Sequence, residues 1–187
     1  MDRKSGYRVS FVACRKSHRT PHLRLVFNKL LALVAGWTLT PSPVRVAIHR
    51  IRGVRFADPK RVFIGEHVTL DGVFPERISI GNDVMLTSGT MILTHYYQTE
   101  YAGHVFMPGE VKIGDGVFFG ARSMVIAEIA IGNGAVIAAG AVVSRDVASN
   151  IIVGGIPARE IGRRGGELVP AAMPSLDELL RSVRRDA

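Results

Sequence analysis

Histidine and cysteine are the side chains best suited to move protons or hold metals near neutral pH, and this chain has six of the first and one of the second. Cys14 stands alone, which excludes an intramolecular disulfide framework and a Cys-rich zinc site and fits a reducing cytoplasm. His67, His95 and His104 fall in the central part, and His95 is set apart by its position. It follows Ile92-Leu93-Thr94, the last step of a regular aliphatic pattern, and precedes Tyr96–Glu110, where the pattern lapses. An imidazole at that junction is expected on the surface, where it can take a proton from an attacking group and return it.

The pattern itself must position this histidine. Val62-Phe63-Ile64-Gly65-Glu66-His67-Val68, Ile78-Ser79-Ile80-Gly81-Asn82-Asp83-Val84, Val111-Lys112-Ile113-Gly114-Asp115-Gly116-Val117 and Ile129-Ala130-Ile131-Gly132-Asn133-Gly134-Ala135 share one form. From Ile113 a large apolar residue recurs at every sixth position: Phe119, Val125, Ile131, Ile137, Val143. Small or β-branched companions, Val117, Ser123, Ala135, Ala141 and Val147, follow four residues behind most of them. Ile80, Leu86 and Ile92 begin the ladder earlier, with Val84 and Thr90 as companions.

A period of six fits neither a helix nor a heptad. It fits a short strand plus a corner, and three of each close a triangular coil, such as the three hexads from Ile113 to Ile131. Sandwich turns come roughly every 8–12 residues instead. The expected fold is therefore a parallel β-helix, mainly β, with glycine, asparagine or aspartate where a corner needs positive φ. The ladder runs from Val62 to about Ala158, which gives four to five coils once a loop at 96–110 is set aside. The step from Ile64 to Ile80 falls short of three hexads, an imperfect first coil.

Three parts are expected: a basic, partly helical segment 1–61, the β-helix 62–163 with its inserted loop, and a tail with a helix at 164–187. A helix over 21–37, with Leu25, Leu30, Leu33 and Val34 on one face, and another opening at the capping box Ser175-Leu176-Asp177-Glu178 would cover the open ends. Residues 1–61 carry 14 Lys/Arg against 2 Asp/Glu, whereas residues 62–187 carry 10 against 14. Nucleic acid is not an expected partner, because no recognition scaffold accompanies the basic residues. A basic, partly apolar N-terminus suits peripheral contact with the anionic inner face of a membrane, or an acidic partner. Leu30–Leu39 is too short to cross a bilayer, and the basic flank before it is read as retained rather than cleaved.

Laid out in hexads, residues 62–163 resemble the hexapeptide-repeat acyltransferases, and more narrowly the branch of maltose, galactoside, nodulation-factor and polysaccharide O-acetyltransferases. The motifs that carry the resemblance are the histidine after Ile92-Leu93-Thr94 and the run from Ile137-Ala138-Ala139-Gly140 through Ser144-Arg145-Asp146-Val147 to Gly154-Gly155-Ile156-Pro157-Ala158-Arg159. The resemblance implies a left-handed winding and a homotrimer with active sites between subunits. It also implies acetyl-CoA as acyl donor, and His95 as the general base. Acyl transfer further needs a donor for the developing oxyanion.

Ala121 and Ala139 lie three hexads apart and stack, so their small side chains, with Gly140, would let the pantetheine arm approach the backbone. Ser144, Arg145 and Arg159 match positions near the nucleotide end, whose phosphates suit arginine; Arg163 and Arg164 add charge nearby. Asp71, Thr94, Tyr97, Glu100 and His104 are candidates for the acceptor, a carbohydrate or small-molecule amine. Glu100 is also placed to orient His95, and His104 either lines the acceptor pocket or faces solvent. O-acetylation of a carbohydrate hydroxyl, such as a cell-surface polysaccharide or its precursor, is the leading reading. N-acetylation of an amino sugar and a non-catalytic scaffold are the alternatives. A zinc carbonic anhydrase on this fold would need converging histidines, including a pair four residues apart that this chain lacks, so no metal is expected.

Overall fold

The computed structural model describes residues 22–37, 39–98, 105–126 and 128–165. Two helices come first, α1 (His22–Gly36) and α2 (Ser42–Arg52), the second ended by Gly53 in the left-handed region. The chain then visits three parallel sheets, A, B and C, in rotation. One circuit is β1 (Arg55–Phe56), β2 (Val62–Ile64) and β3 (Thr69–Leu70). The next is β4 (Ile78–Ile80), β5 (Val84–Leu86) and β6 (Met91–Leu93). After a hairpin of β7 (His95–Gln98) and β8 (Val105–Pro108), the rotation resumes with β9 (Val111–Ile113), β10 (Phe118–Phe119) and β11 (Met124–Ile126). It continues through β12 (Ile129–Ile131), β13 (Val136–Ile137) and β14 (Val142–Val143) to a bridge at Val147 and to β15 (Ile151–Gly154). β16 (Arg159–Arg163) folds back antiparallel on β15.

The register makes the hexad rows physical. Ile80, Ile113 and Ile131 stack in sheet A; Leu86, Phe119 and Ile137 in sheet B; Ile92, Val125 and Val143 in sheet C. All nine are buried, as are the companions Val117, Ser123, Ala135, Ala141 and Val147. Each large aliphatic so removed from water contributes roughly 1.5–3 kcal/mol. Two of the three corners turn through a left-handed residue, the A-to-B corner from the second coil on and the B-to-C corner from the first. Between A and B these are Asp83, Gly116, Gly134 and Asn150; between B and C they are His67, Gly89, Arg122 and Gly140. Glycine and asparagine suit that conformation, while His67 and Arg122 adopt it against their steric preference. Among the described residues, the corner from C to A uses no such residue.

That third corner departs from the sequence reading twice. Ile64 is not an early member of the row of Ile80. It lies in sheet B beside Leu86, further along than three hexads, because extra residues enter between β3 and β4, including the short turn Pro75–Arg77. The expected loop at 96–110 is also more ordered than a loop. Its described ends pair as an antiparallel hairpin closed by Gly109 N–H donating to the Thr94 carbonyl. Both interruptions therefore leave the prism at one edge, one coil apart.

At the start of the prism, β1 pairs with β4 ahead of Val62. The exposed backbone edge of the first coil is satisfied by α2. Ser42 Oγ accepts from Ile64 N–H (2.9 Å), Arg45 donates to the Ile64 carbonyl (3.2 Å), and Val46 joins the core. This explains two buried arginines, Arg45 and Arg52, in a helix that hydrophobic periodicity alone does not mark. α1 forms where expected, yet Leu30, Leu33 and Val34 face outward. Asn28 and Ala35 are the residues it buries, so the apolar face is not what covers the end of the solenoid. The C-terminal helix expected from Ser175 lies outside the described residues.

Candidate active site

The two interruptions meet at Asp71 and His95. β3 and β6 are paired with Leu70 opposite Ile92, which sets Asp71 beside the strand that leads into His95. Asp71 closes a turn on its own side: Oδ1 accepts from the N–H groups of Val73 (2.6 Å) and Phe74 (3.1 Å). Oδ2 reaches the next coil, accepting from Thr94 N–H (2.8 Å), Thr94 Oγ1 (2.7 Å) and His95 Nδ1 (2.8 Å). The Phe74 ring meets the imidazole edge-on at 6.3 Å between centroids, and the Arg77 guanidinium lies over the same phenyl ring at 5.6 Å. The His95 side chain is 22% exposed and Asp71 fully buried.

Burial alone would push the Asp71 carboxyl up. The hydrogen bonds from His95, from Thr94 and from the backbone of Val73 and Thr94 outweigh it and hold the group well below the usual carboxylate range. Asp71 is thus an anion at neutral pH, and a neutral His95 keeps its proton on Nδ1, facing that anion. The lone pair is then on Nε2, the arrangement of an oriented general base.

Behind Asp71 lies a second tier. Arg52 Nη2 donates to the carbonyls of Leu70 (2.9 Å) and Asp71 (2.7 Å), and Nη1 bonds His49 Nδ1 (2.7 Å). Burial, and then the Arg52 charge, push the His49 imidazole down to about 3, so it is neutral and accepts from Arg52. Burial also pulls Arg52 down, and the Asp71 carboxylate raises it. The hexad rows point to neither Arg52 nor His49. Their one sequence signal is a helix whose charged residues recur at inward positions.

Asp71 and Thr94, candidates for the acceptor from the sequence, are both fully buried. Thr94 N–H and Oγ1 and His95 Nδ1 all donate to the same Asp71 oxygen. Glu100 and His104 lie outside the described residues; among those described, the carboxylate bonded to His95 is Asp71. Tyr97 is on β7 opposite Phe106, its side chain outside what is described.

Ala121 and Ala139 stack as their spacing requires, exposed at the B-to-C edge, with Gly140 N–H donating to the Ala121 carbonyl (2.9 Å). Ser144 and Arg145 are exposed at the C-to-A edge. The turn before Arg159 exchanges backbone hydrogen bonds with Val142, which carries that exposed arginine toward the end of the prism that holds Ala139 and Gly140. His95 emerges at the C-to-A edge, so one protomer does not bring it onto the same edge as the alanine column. Among the described residues no three metal-ligating side chains converge.

Residues 110–145 match the family described as bacterial transferase hexapeptide (six repeats). A protein of Bacillus subtilis (strain 168), "Putative acetyltransferase YvoF", is 42% identical over 141 residues, 75% of this chain and 78% of its own length. The chain belongs to the hexapeptide-repeat acetyltransferases. Solved members of this family share the architecture. A maltose O-acetyltransferase from Clostridium difficile 630 superposes with a TM-score of 0.53 at 25% identity, over 78% of this chain and 90% of that one. A hexapeptide-repeat acetyltransferase from Vibrio cholerae O1 biovar eltor, solved in complex with acetyl-CoA, gives 0.53 at 23% identity, over 77% and 88%. The latter speaks to the fold alone.

Proposed function

We propose that this acetyltransferase moves the acetyl group of acetyl-CoA to a carbohydrate hydroxyl, with His95 as general base and Asp71 as the residue that orients it. The 2.8 Å contact between His95 Nδ1 and the buried Asp71 carboxylate carries the reading. It commits the basic lone pair to Nε2 at the edge of the prism. In the reaction the acceptor hydroxyl loses its proton to Nε2 while its oxygen attacks the thioester carbonyl. The tetrahedral intermediate then collapses, and the proton passes to the departing coenzyme thiolate.

Membership of the acetyltransferases supports an acetyl donor, and the maltose O-acetyltransferase supports a sugar hydroxyl as acceptor. The pantetheine arm would run along Ala121, Ala139 and Gly140, with Ser144, Arg145 and Arg159 toward the nucleotide phosphates. Because the column of Ala121, Ala139 and Gly140 lies on a different edge from His95, the proposed assembly is a homotrimer in which neighbouring subunits complete each site. The winding is that of the family, left-handed, and the reaction is cytoplasmic, where acetyl-CoA is made. In the test, thiol release from acetyl-CoA is followed with a panel of sugars and amines, using wild type and His95→Ala. A loss of roughly 10²-fold or more in turnover with coenzyme affinity retained is expected; unchanged thiol release would reject His95 as the base.

A further inference from the structure

α1 turns its most apolar side away from the protein. Leu23, Val26, Leu30, Leu33 and Trp37 recur at alternating steps of three and four, so they form one stripe along the helix. They are 82%, 55%, 58%, 73% and 65% exposed, while the polar Asn28 is 2% exposed on the inner side. A helix with this pattern ordinarily buries the stripe and presents the asparagine to water, so the reversal means something else covers it. The surrounding charge says what. Residues 3–57 contain no aspartate or glutamate, and Arg24 and Lys29 on α1 itself are exposed.

Two copies joined through this face would bring those cations together. Lipid phosphates would instead neutralise them near an anionic surface. At 15 residues α1 is about 22 Å long, short of the roughly 30 Å hydrocarbon layer, and among the described residues no helix is long and apolar enough to cross a membrane. The remaining geometry is in-plane, with Trp37 at the end of the stripe, a residue suited to the interface.

We propose that α1 docks the enzyme on an anionic membrane surface, its apolar stripe in the acyl layer and its cations at the phosphates. The stripe ends at a cleft of about 360 Å³, lined by Leu33, Trp37, His49, Arg52, Leu70 and Gly72. Gly72 adjoins Asp71, so the docked face lies beside the coil that holds His95. If the acyl-transfer reading holds, the acceptor is a sugar hydroxyl carried on a membrane lipid.

Trp37 is the only tryptophan, so its emission reports on this face without labelling. The full chain is titrated, without acetyl-CoA or acceptor, with vesicles of phosphatidylcholine alone and of phosphatidylcholine with phosphatidylglycerol in equal parts. A blue shift and flotation with the anionic vesicles, weakened by salt, are expected. Leu23→Glu/Leu30→Glu is expected to weaken binding at least roughly tenfold, with unchanged melting and unchanged thiol release toward a water-soluble acceptor. Arg24→Glu/Lys29→Glu provides a second variant and is expected to weaken binding to the anionic vesicles alone. No shift and no flotation would overturn the proposal. So would a fall in assembly mass in the Leu23→Glu/Leu30→Glu variant, which would mark the stripe as a contact between copies. Because vesicle binding is measured without substrates, its failure leaves the acyl-transfer reading standing, and a failure of thiol release leaves the docking result standing.

Discussion

Asp71 accepts five hydrogen bonds in a buried position, and their division between its two oxygens makes the group sensitive to an isosteric change. In Asp71→Asn, whichever way the amide is turned, its nitrogen points at N–H or O–H donors. With the nitrogen toward His95 the ring can no longer donate from Nδ1, and with it toward Val73 and Phe74 the ring donates to a neutral carbonyl oxygen in place of a carboxylate. Turnover is therefore expected to fall roughly 10²-fold, with stability reduced by about 1–3 kcal/mol and the acetyl-CoA KM little changed. Steady-state kinetics beside urea unfolding checks this, and turnover close to wild type would remove Asp71 from the mechanism. His49 makes a separate, pH-linked prediction. Its folded value of about 3 lies below the ordinary 6.5, so between those limits the unfolded chain binds more protons and stability is lost as pH falls. Asp71, also depressed, adds a loss of the same sign in a more acidic range. His49→Gln keeps an acceptor for Arg52 without titrating. Its stability, followed by urea midpoints from about pH 7 down to 4, should fall less steeply than wild type, by up to about 1.4 kcal/mol per pH unit.

Elements differ in how plainly the sequence announced them, and the reason is the distance over which each is specified. The rows through Phe119, Ile131, Ile137 and Val143 were legible because a coil of three hexads repeats locally, and the companions Ser123 and Ala141 followed from the same count. The contact between Asp71 and His95 was not. β3 and β6 are offset by more than three hexads, so counting in sixes sets Asp71 opposite the wrong residue. α2 was missed for a different reason: it buries Arg45, His49 and Arg52 to satisfy an open sheet edge, which hydropathy reads as a solvated face. Corner glycines looked alike in sequence but are required on different grounds. A Cβ on Gly120 would stand 2.4 Å from the Ala139 backbone nitrogen, whereas one on Gly140 meets nothing within 4 Å but must accept a φ of +70°. Gly140→Ala is therefore expected to cost about 1 kcal/mol, the left-handed penalty. Gly120→Ala should cost about 3 kcal/mol or more, since coils must separate. Urea unfolding of the two variants decides the order, and a milder Gly120→Ala would mean the stack yields more easily than its register suggests.

For the molecule as a whole, the decisive fact is that the oriented imidazole and the small-residue column occupy different edges of one prism. The proposed catalytic surface, divided this way, would be complete where the edge of one subunit faces another edge of its neighbour, the arrangement of the proposed closed cyclic trimer. The proposed shared site can be tested without a structure of the assembly. His95→Ala removes the base and leaves the coenzyme groove intact. Ala139→Trp fills the exposed groove and leaves the base. Each variant alone should be nearly inactive, because every site in such an assembly has one defective half. Subunits mixed in equal amounts and reassembled at random pair an intact histidine with an intact groove at about a quarter of the sites, so about a quarter of wild-type activity should return. If both groups of a site came from one subunit, no mixture would recover anything, because each chain would carry its own defect into its own site. Thiol release measured against mixing ratio, highest at equal parts and falling toward either pure variant, would separate the two arrangements.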